Sequence, residues 1–133
     1  MSGLLHKNES YQIMGACFKV YTAMGCGFLE SVYQECLKME FSARGILFQS
    51  QVPVPVMYEG STLETGFRAD FVCYDSIILE LKAMDTIADA HWAQVINCLR
   101  ATGQRLGIIL NFGHYPMLQY ERFIVDRTKP VRD

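Results

Sequence analysis

Apolar residues recur at helical spacing through the first third of the chain. Tyr11, Met14, Cys17, Phe18, Tyr21 and Met24 form one stripe and predict a helix over 9–24. After the break at Gly25-Cys26-Gly27, Leu29, Val32, Tyr33, Cys36, Leu37 and Phe41 form a second stripe, predicting a helix over 29–43 that stops at Gly45. The period then falls to two. Residues 46–58 alternate around Pro53 and Pro55, and because proline has no N–H to give a neighbouring strand, this segment is expected at a sheet edge, followed by a turn at 59–61. Two further strands flank Tyr74-Asp75-Ser76. Beyond them, Asp85 or Thr86 is the expected N-cap of a third helix over 87–101 ending at Gly103. Apolar runs at 106–110 and 117–125 predict two last strands, and the polar tail 126–133 is expected to fray. The order α-α-β-β-β-α-β-β is that of an α/β (α+β) chain, a mixed central sheet flanked by helices.

The hairpin around 74–76 carries the most specific pattern. Side chains alternate faces along a strand. Phe67, Ala69, Phe71, Cys73, Ile77, Leu79, Leu81 and Ala83 are therefore expected on one unbroken apolar face, and Arg68, Asp70, Glu80 and Lys82 on the other. With 74–76 as the turn, residues whose numbers sum to 150 pair, which sets Asp70 opposite Glu80 with Cβ atoms roughly 4.5–5.5 Å apart. An odd sum would mix the two faces. Two like charges held this close require a compensating group, either a divalent cation or Lys82 and Arg68.

Bulk properties narrow the classes. A chain of 133 residues, half of them hydrophobic and 20% charged, is long enough for one sizeable core and has no charge run or low-complexity stretch that would keep it disordered. A net charge of −2 excludes a nonspecific cationic coat for nucleic acid, but not a nuclease, whose acidic ligands offset its basic contacts. Five cysteines without a CxxC spacing support neither a disulfide framework nor a zinc site, and suit a reducing, cytoplasmic setting. With no run of about 18 apolar residues and no leader-like start, a soluble protein without a membrane partner is expected.

Magnesium keeps several waters and needs only one or two protein carboxylates beside a substrate phosphate. Asp70 and Glu80 meet that minimum, and the backbone carbonyl of Leu81 can join them. Lys82, on the same strand face, can orient or deprotonate an attacking water or neutralise charge on a phosphoryl oxygen. The alternative is a solvated face whose acids and bases form cross-strand ion pairs. Glu30 fits a first-turn acid complementing the helix dipole, but its place at the margin of the second apolar stripe also allows it to face inward. On the third helix, Ile87, His91, Gln94 and Cys98 form a face beside the apolar stripe. Gln94 is expected near the acids, and His91 reads as a boundary residue.

Gly27-Phe28-Leu29-Glu30-Ser31-Val32-Tyr33 resembles the signature of the GxxExxY family. Arg68-Ala69-Asp70, Glu80-Leu81-Lys82-Ala83, Gln94 and Asn111-Phe112-Gly113 resemble its later blocks, in the same order, over about residues 10–125. That family resembles the PD-(D/E)XK nuclease superfamily. The resemblance implies a single domain over 1–133 with a restriction-endonuclease-like core and catalysis dependent on Mg2+ or Mn2+. It also implies Asp70 and Glu80 as metal-binding acids, Lys82 as the catalytic lysine, Glu30 as a supporting acid and Gln94 as the polar residue of the following helix. Two positions depart from the pattern: Ala69 replaces the proline before the aspartate, and Cys98 stands where an aromatic residue would stack on a base.

The expected function is a metal-dependent phosphodiesterase, a nuclease hydrolysing DNA or RNA. The alternative is a non-catalytic nucleic-acid or protein binding module that keeps the fold. A purely structural role for the charged face is the third reading. Small size points to a homodimer.

Overall fold

The computed structural model describes residues 6–125 and 130–132. Helices α1 (Lys7–Met24) and α2 (Glu30–Arg44) precede strand β1 (Phe48–Val54), a small hairpin β2 (Met57–Tyr58) and β3 (Ser61–Thr62), and strands β4 (Phe67–Cys73) and β5 (Ile77–Lys82). Helix α3 (Asp89–Thr102) crosses over to β6 (Leu106–Asn111), β7 (Gln119–Val125) and β8 (Pro130–Arg132). The main sheet runs β1-β4-β5-β6-β7-β8. Its β5–β6 pair, joined through α3, is parallel, and the other neighbours are antiparallel.

The mixed sheet is covered on both faces. Ile13 and Cys17 of α1 and Tyr33, Leu37 and Phe41 of α2 pack on Phe71, Cys73, Ile77, Leu79 and Leu81. On the other face, Val95, Cys98 and Leu99 of α3 pack on Ala69, Ile78, Ile109 and Phe123. Strand β6 is buried at every position and β5 at all but Lys82, as expected of a parallel pair between two helical layers. β1 lies at the edge, where Pro53 leaves no ladder bond wanting.

The even register holds: Phe71 pairs with Leu79, Val72 with Ile78 and Cys73 with Ile77. The single apolar face does not. Phe71 and Cys73 pack beneath α1 and α2, whereas Ala69 and Phe67 pack beneath α3, so β4 changes faces at Asp70. β1 does the same, with Phe48 on one side and Val52 and Val54 on the other. The cause is Gln51, which stands opposite Asp70 and adopts a left-handed backbone with φ 52°. That conformation rolls the strand and interrupts its pairing between Ser50↔Phe71 and Val52↔Ala69.

Three boundaries also differ. The predicted 46–58 strand divides into β1 and β2 around Pro55, and the turn is Glu59-Gly60 between paired Tyr58 and Ser61. Helix α3 begins two residues late, with Ala88 rather than Asp85 or Thr86 at its N-cap. The cap bond comes from within the helix, since His91 Nδ1 accepts the Ala88 N–H at 3.0 Å, which gives His91 the boundary role expected of it. Within the tail expected to fray, Pro130–Arg132 pairs with β7, while 126–129 and 133 lie outside the described residues.

Candidate active site

Asp70 sits where both ladders of β4 fail. Pairing with β5 ends at Phe71↔Leu79, and pairing with β1 skips Gln51. Side chains take over the bonds that the strands give up. The Leu81 N–H donates to Asp70 Oδ2 at 2.7 Å, and the Asp70 N–H donates to Glu80 Oε1 at 3.4 Å. From α2, the Gln34 amide donates to the Asp70 carbonyl at 3.2 Å, and from β1 the Gln51 amide donates to Asp70 Oδ1 at 3.3 Å. Each acid is thus bonded to the other's strand, Asp70 to the Leu81 N–H and Glu80 to that of Asp70, where the β4–β5 ladder has ended.

Neither Lys82 nor Arg68 forms an ion pair with them. Lys82 Nζ donates to Gln94 Oε1 of α3 at 3.3 Å, and Arg68 donates to the Gln51 carbonyl at 3.0 Å. Two ion pairs of the described residues, Lys19–Glu40 and Arg44–Glu40, lie away from the hairpin. Glu80 is only 5% exposed. Burial first, and the neighbouring charge of Asp70 second, push its carboxyl up to about 8, against the weaker pull of the Asp70 N–H and Lys82. Burial also raises Asp70, opposed by the Leu81 N–H, the Gln51 amide and Lys82. Burial and Asp70 thus favour the protonated form of Glu80 in the metal-free folded chain.

Glu30 stands in the first turn of α2 and is exposed, not turned inward. Glu30 shares the phase of the buried Tyr33, Leu37 and Phe41, but as the first residue of α2 it lies before the first turn that is buried. It still feels the site, because partial desolvation and the charge of Asp70 raise its carboxyl while Lys82 lowers it. Glu30, Asp70, Glu80, Lys82 and Gln94 are thus brought into one electrostatic neighbourhood. Among the described residues, however, no three acid, thiol or imidazole groups form a ready cage for a metal ion. Cys98 lies buried, its thiol pushed up to about 12 by burial and by the charge of Glu80. The absent aromatic ring therefore corresponds to a core position beneath Glu80, not to an open stacking surface.

Several supporting residues escaped the sequence reading. Gln34 and Gln51 are polar residues on otherwise ordinary elements, and nothing in their spacing marks them. Asn111 was legible only as part of a block. It is fully buried at the end of β6, where its Oδ1 accepts the N–H groups of Met84 and Gly113, each at 3.1 Å, and its amide donates to Gln119 Oε1 at 3.0 Å. Gln119 Oε1 also accepts the Ile87 N–H at 3.1 Å. This network fastens the segment leaving Lys82 to β6 and β7. Gly113 completes the fastening, since a Cβ there would lie 2.4 Å from the Met84 nitrogen. A polar residue closing the apolar run 106–110 was the available signal.

The family model for the PD-(D/E)XK nuclease superfamily matches residues 7–123, from α1 to within β7. Comparison with curated proteins and with solved structures gives no match.

Proposed function

Because the chain belongs to the PD-(D/E)XK nuclease superfamily, we propose that it is a metal-dependent phosphodiesterase hydrolysing the backbone of DNA or RNA, with Asp70, Glu80 and Lys82 at its centre. The observation that carries the reading is the uncompensated acid pair: two carboxylates are bonded to each other's strand while the nearby Lys82 and Arg68 are engaged elsewhere. Two acids held this close, one of them buried, cost stability unless a proton or a cation joins them, and a structural face would have turned its own bases onto them.

The donor set fits Mg2+ or Mn2+, being entirely oxygen. Asp70 and Glu80 would hold the ion, and Glu30 would support it from the rim. The Leu81 carbonyl would join them, because the N–H and C=O of a strand residue leave on the same side and the Leu81 N–H already meets Asp70. Such an ion supplies positive charge to a phosphoryl oxygen and makes water more acidic.

The chain's own residues do the rest. Asp70 is oriented by the Leu81 N–H and the Gln51 amide, so its carboxylate requires little reorganisation when substrate arrives. Gln94 holds the Lys82 ammonium beside the acids, from where it can steer the attacking water or donate to charge developing on the phosphate. The free thiols among the described residues suit the cytoplasmic setting expected from composition. No helix among the described residues is long and apolar enough to cross a membrane.

The test is cleavage of a panel of single- and double-stranded DNA and RNA in Mg2+ and Mn2+. Wild type is expected to cut at least one member and Lys82→Ala to lose at least a hundredfold in rate. Equal cleavage by both proteins would refute the role of Lys82. Binding without turnover by wild type in every metal would assign the non-catalytic module instead.

A further inference from the structure

Strands β1 and β4 run past the acid pair and open into a cavity of about 370 Å³ beneath the β2–β3 hairpin. Its walls include Pro53, Pro55, Leu63 and Phe67, with Glu64 and Arg68 supplying charge. Two features tie the cavity to the acids. Arg68 is two residues from Asp70 on the same strand, roughly 6–7 Å along it. Gln51 then bridges the two places, its carbonyl accepting from Arg68 at 3.0 Å and its amide donating to Asp70 at 3.3 Å. Gln51 does this in a left-handed backbone that costs a non-glycine residue on the order of 1 kcal/mol. A strained residue whose two ends contact the cavity's cation and the site's carboxylate marks a functional connection between them.

We propose that this cavity holds the base of the nucleotide flanking the scissile phosphate, so that the preferred substrate is single-stranded or locally unpaired. The inference rests on the phosphodiesterase reading. A chain whose phosphate lies at Asp70 and Glu80 and which continues along β4 reaches the cavity within one nucleotide. The cavity suits a flat, largely apolar group with polar edges: Pro53, Pro55, Leu63 and Phe67 are among its lining residues, and Arg68 can donate to a base edge or to the next phosphate. Stacking on such walls does not distinguish bases, because every base has a π-face. A paired base cannot enter, since it must first leave its stack. Leu63, at 43% exposure, lines this space just after a hairpin that also exposes Met57 and Tyr58.

The experiment uses a fluorescent single-stranded 12-mer and its copy carrying abasic sites at all central positions, titrated by anisotropy with wild type, Leu63→Glu and Pro55→Glu in Ca2+. Both substituted positions are exposed, so both variants are expected to fold, with melting checked in parallel. Wild type should bind the intact strand at least fivefold more tightly than the abasic one. Each variant should lose that preference, its affinity falling much further for the intact strand than for the abasic one, whose phosphates the added carboxylate also repels. Equal binding of the two strands by wild type, or a preference that survives both substitutions, overturns the base-binding cavity while leaving the phosphodiesterase reading intact. If wild type binds neither strand and cleaves no nucleic acid, both readings fall together.

Discussion

Replacing Glu80 with glutamine should make the metal-free protein more stable, and increasingly so as pH rises. Glu80 has an ordinary carboxyl value of 4.5 that burial and Asp70 push up to about 8 in the folded chain. Between those values the folded state retains a proton that the unfolded state has released, so stability falls as pH increases, by about 1.4 kcal/mol per pH unit. From pH 5.5 to 8 the loss is about 3 kcal/mol, which for a domain of this size corresponds to roughly 10 °C in melting temperature. Calorimetric melts in EDTA would show wild type losing this stability across the range, while Glu80→Gln, which carries no titrating proton, has a nearly flat profile and melts well above wild type at pH 8. Adding Mn2+ at pH 8 should raise the melting temperature of wild type and leave that of the variant unchanged. A wild-type melting temperature that stays constant or climbs from pH 5.5 to 8 would refute the burial argument. So would a variant that keeps the wild-type slope.

Three further substitutions test the scaffold around the acids. Gly113→Ala places a Cβ against backbone atoms of Ala83 and Met84 and should cost about 2 kcal/mol or more in urea unfolding, because backbone cannot yield as a side chain would. Asn111→Leu strands the N–H groups of Met84 and Gly113 and should cost about 3 kcal/mol by the same measurement. Tyr33→Phe removes the hydroxyl that donates to the Gly25 carbonyl at 2.6 Å and accepts the Phe28 N–H at 3.2 Å. It should lower stability by about 1–2 kcal/mol and speed hydrogen exchange at Phe28, since the stacking of Tyr33 on Phe112 remains.

The helices and the sheet were legible because periodicity reports burial. The stripes of α1 and α2, the edge position forced by Pro53, and the even register of β4 with β5 each follow from one element and its immediate neighbours. The face change at Asp70 does not. It depends on the left-handed backbone of Gln51, a residue whose type gives no sign of that conformation, acting on a strand that is distant in sequence. Of the candidate site residues, Asp70, Glu80 and Lys82 were singled out by alternation and Gln94 by its helical phase, though the common face expected of the first three is broken at Asp70. The exposure of Glu30 could not, because its position at a helix start allows either direction until the loop before it is placed. Gln34, Gln51 and Asn111 were hidden for a related reason: each satisfies a backbone group of another segment, and a polar residue with a tertiary partner looks in sequence like any solvated one.

The proposed function requires the Asp70–Glu80 pair to hold a divalent cation. Crystals soaked in Mn2+ and measured at a wavelength where manganese scatters anomalously test it directly. A single strong anomalous peak in contact with both carboxylates, absent from Asp70→Asn crystals, is the predicted result. Soaked crystals with no peak there, or with manganese bound only elsewhere, would contradict the account.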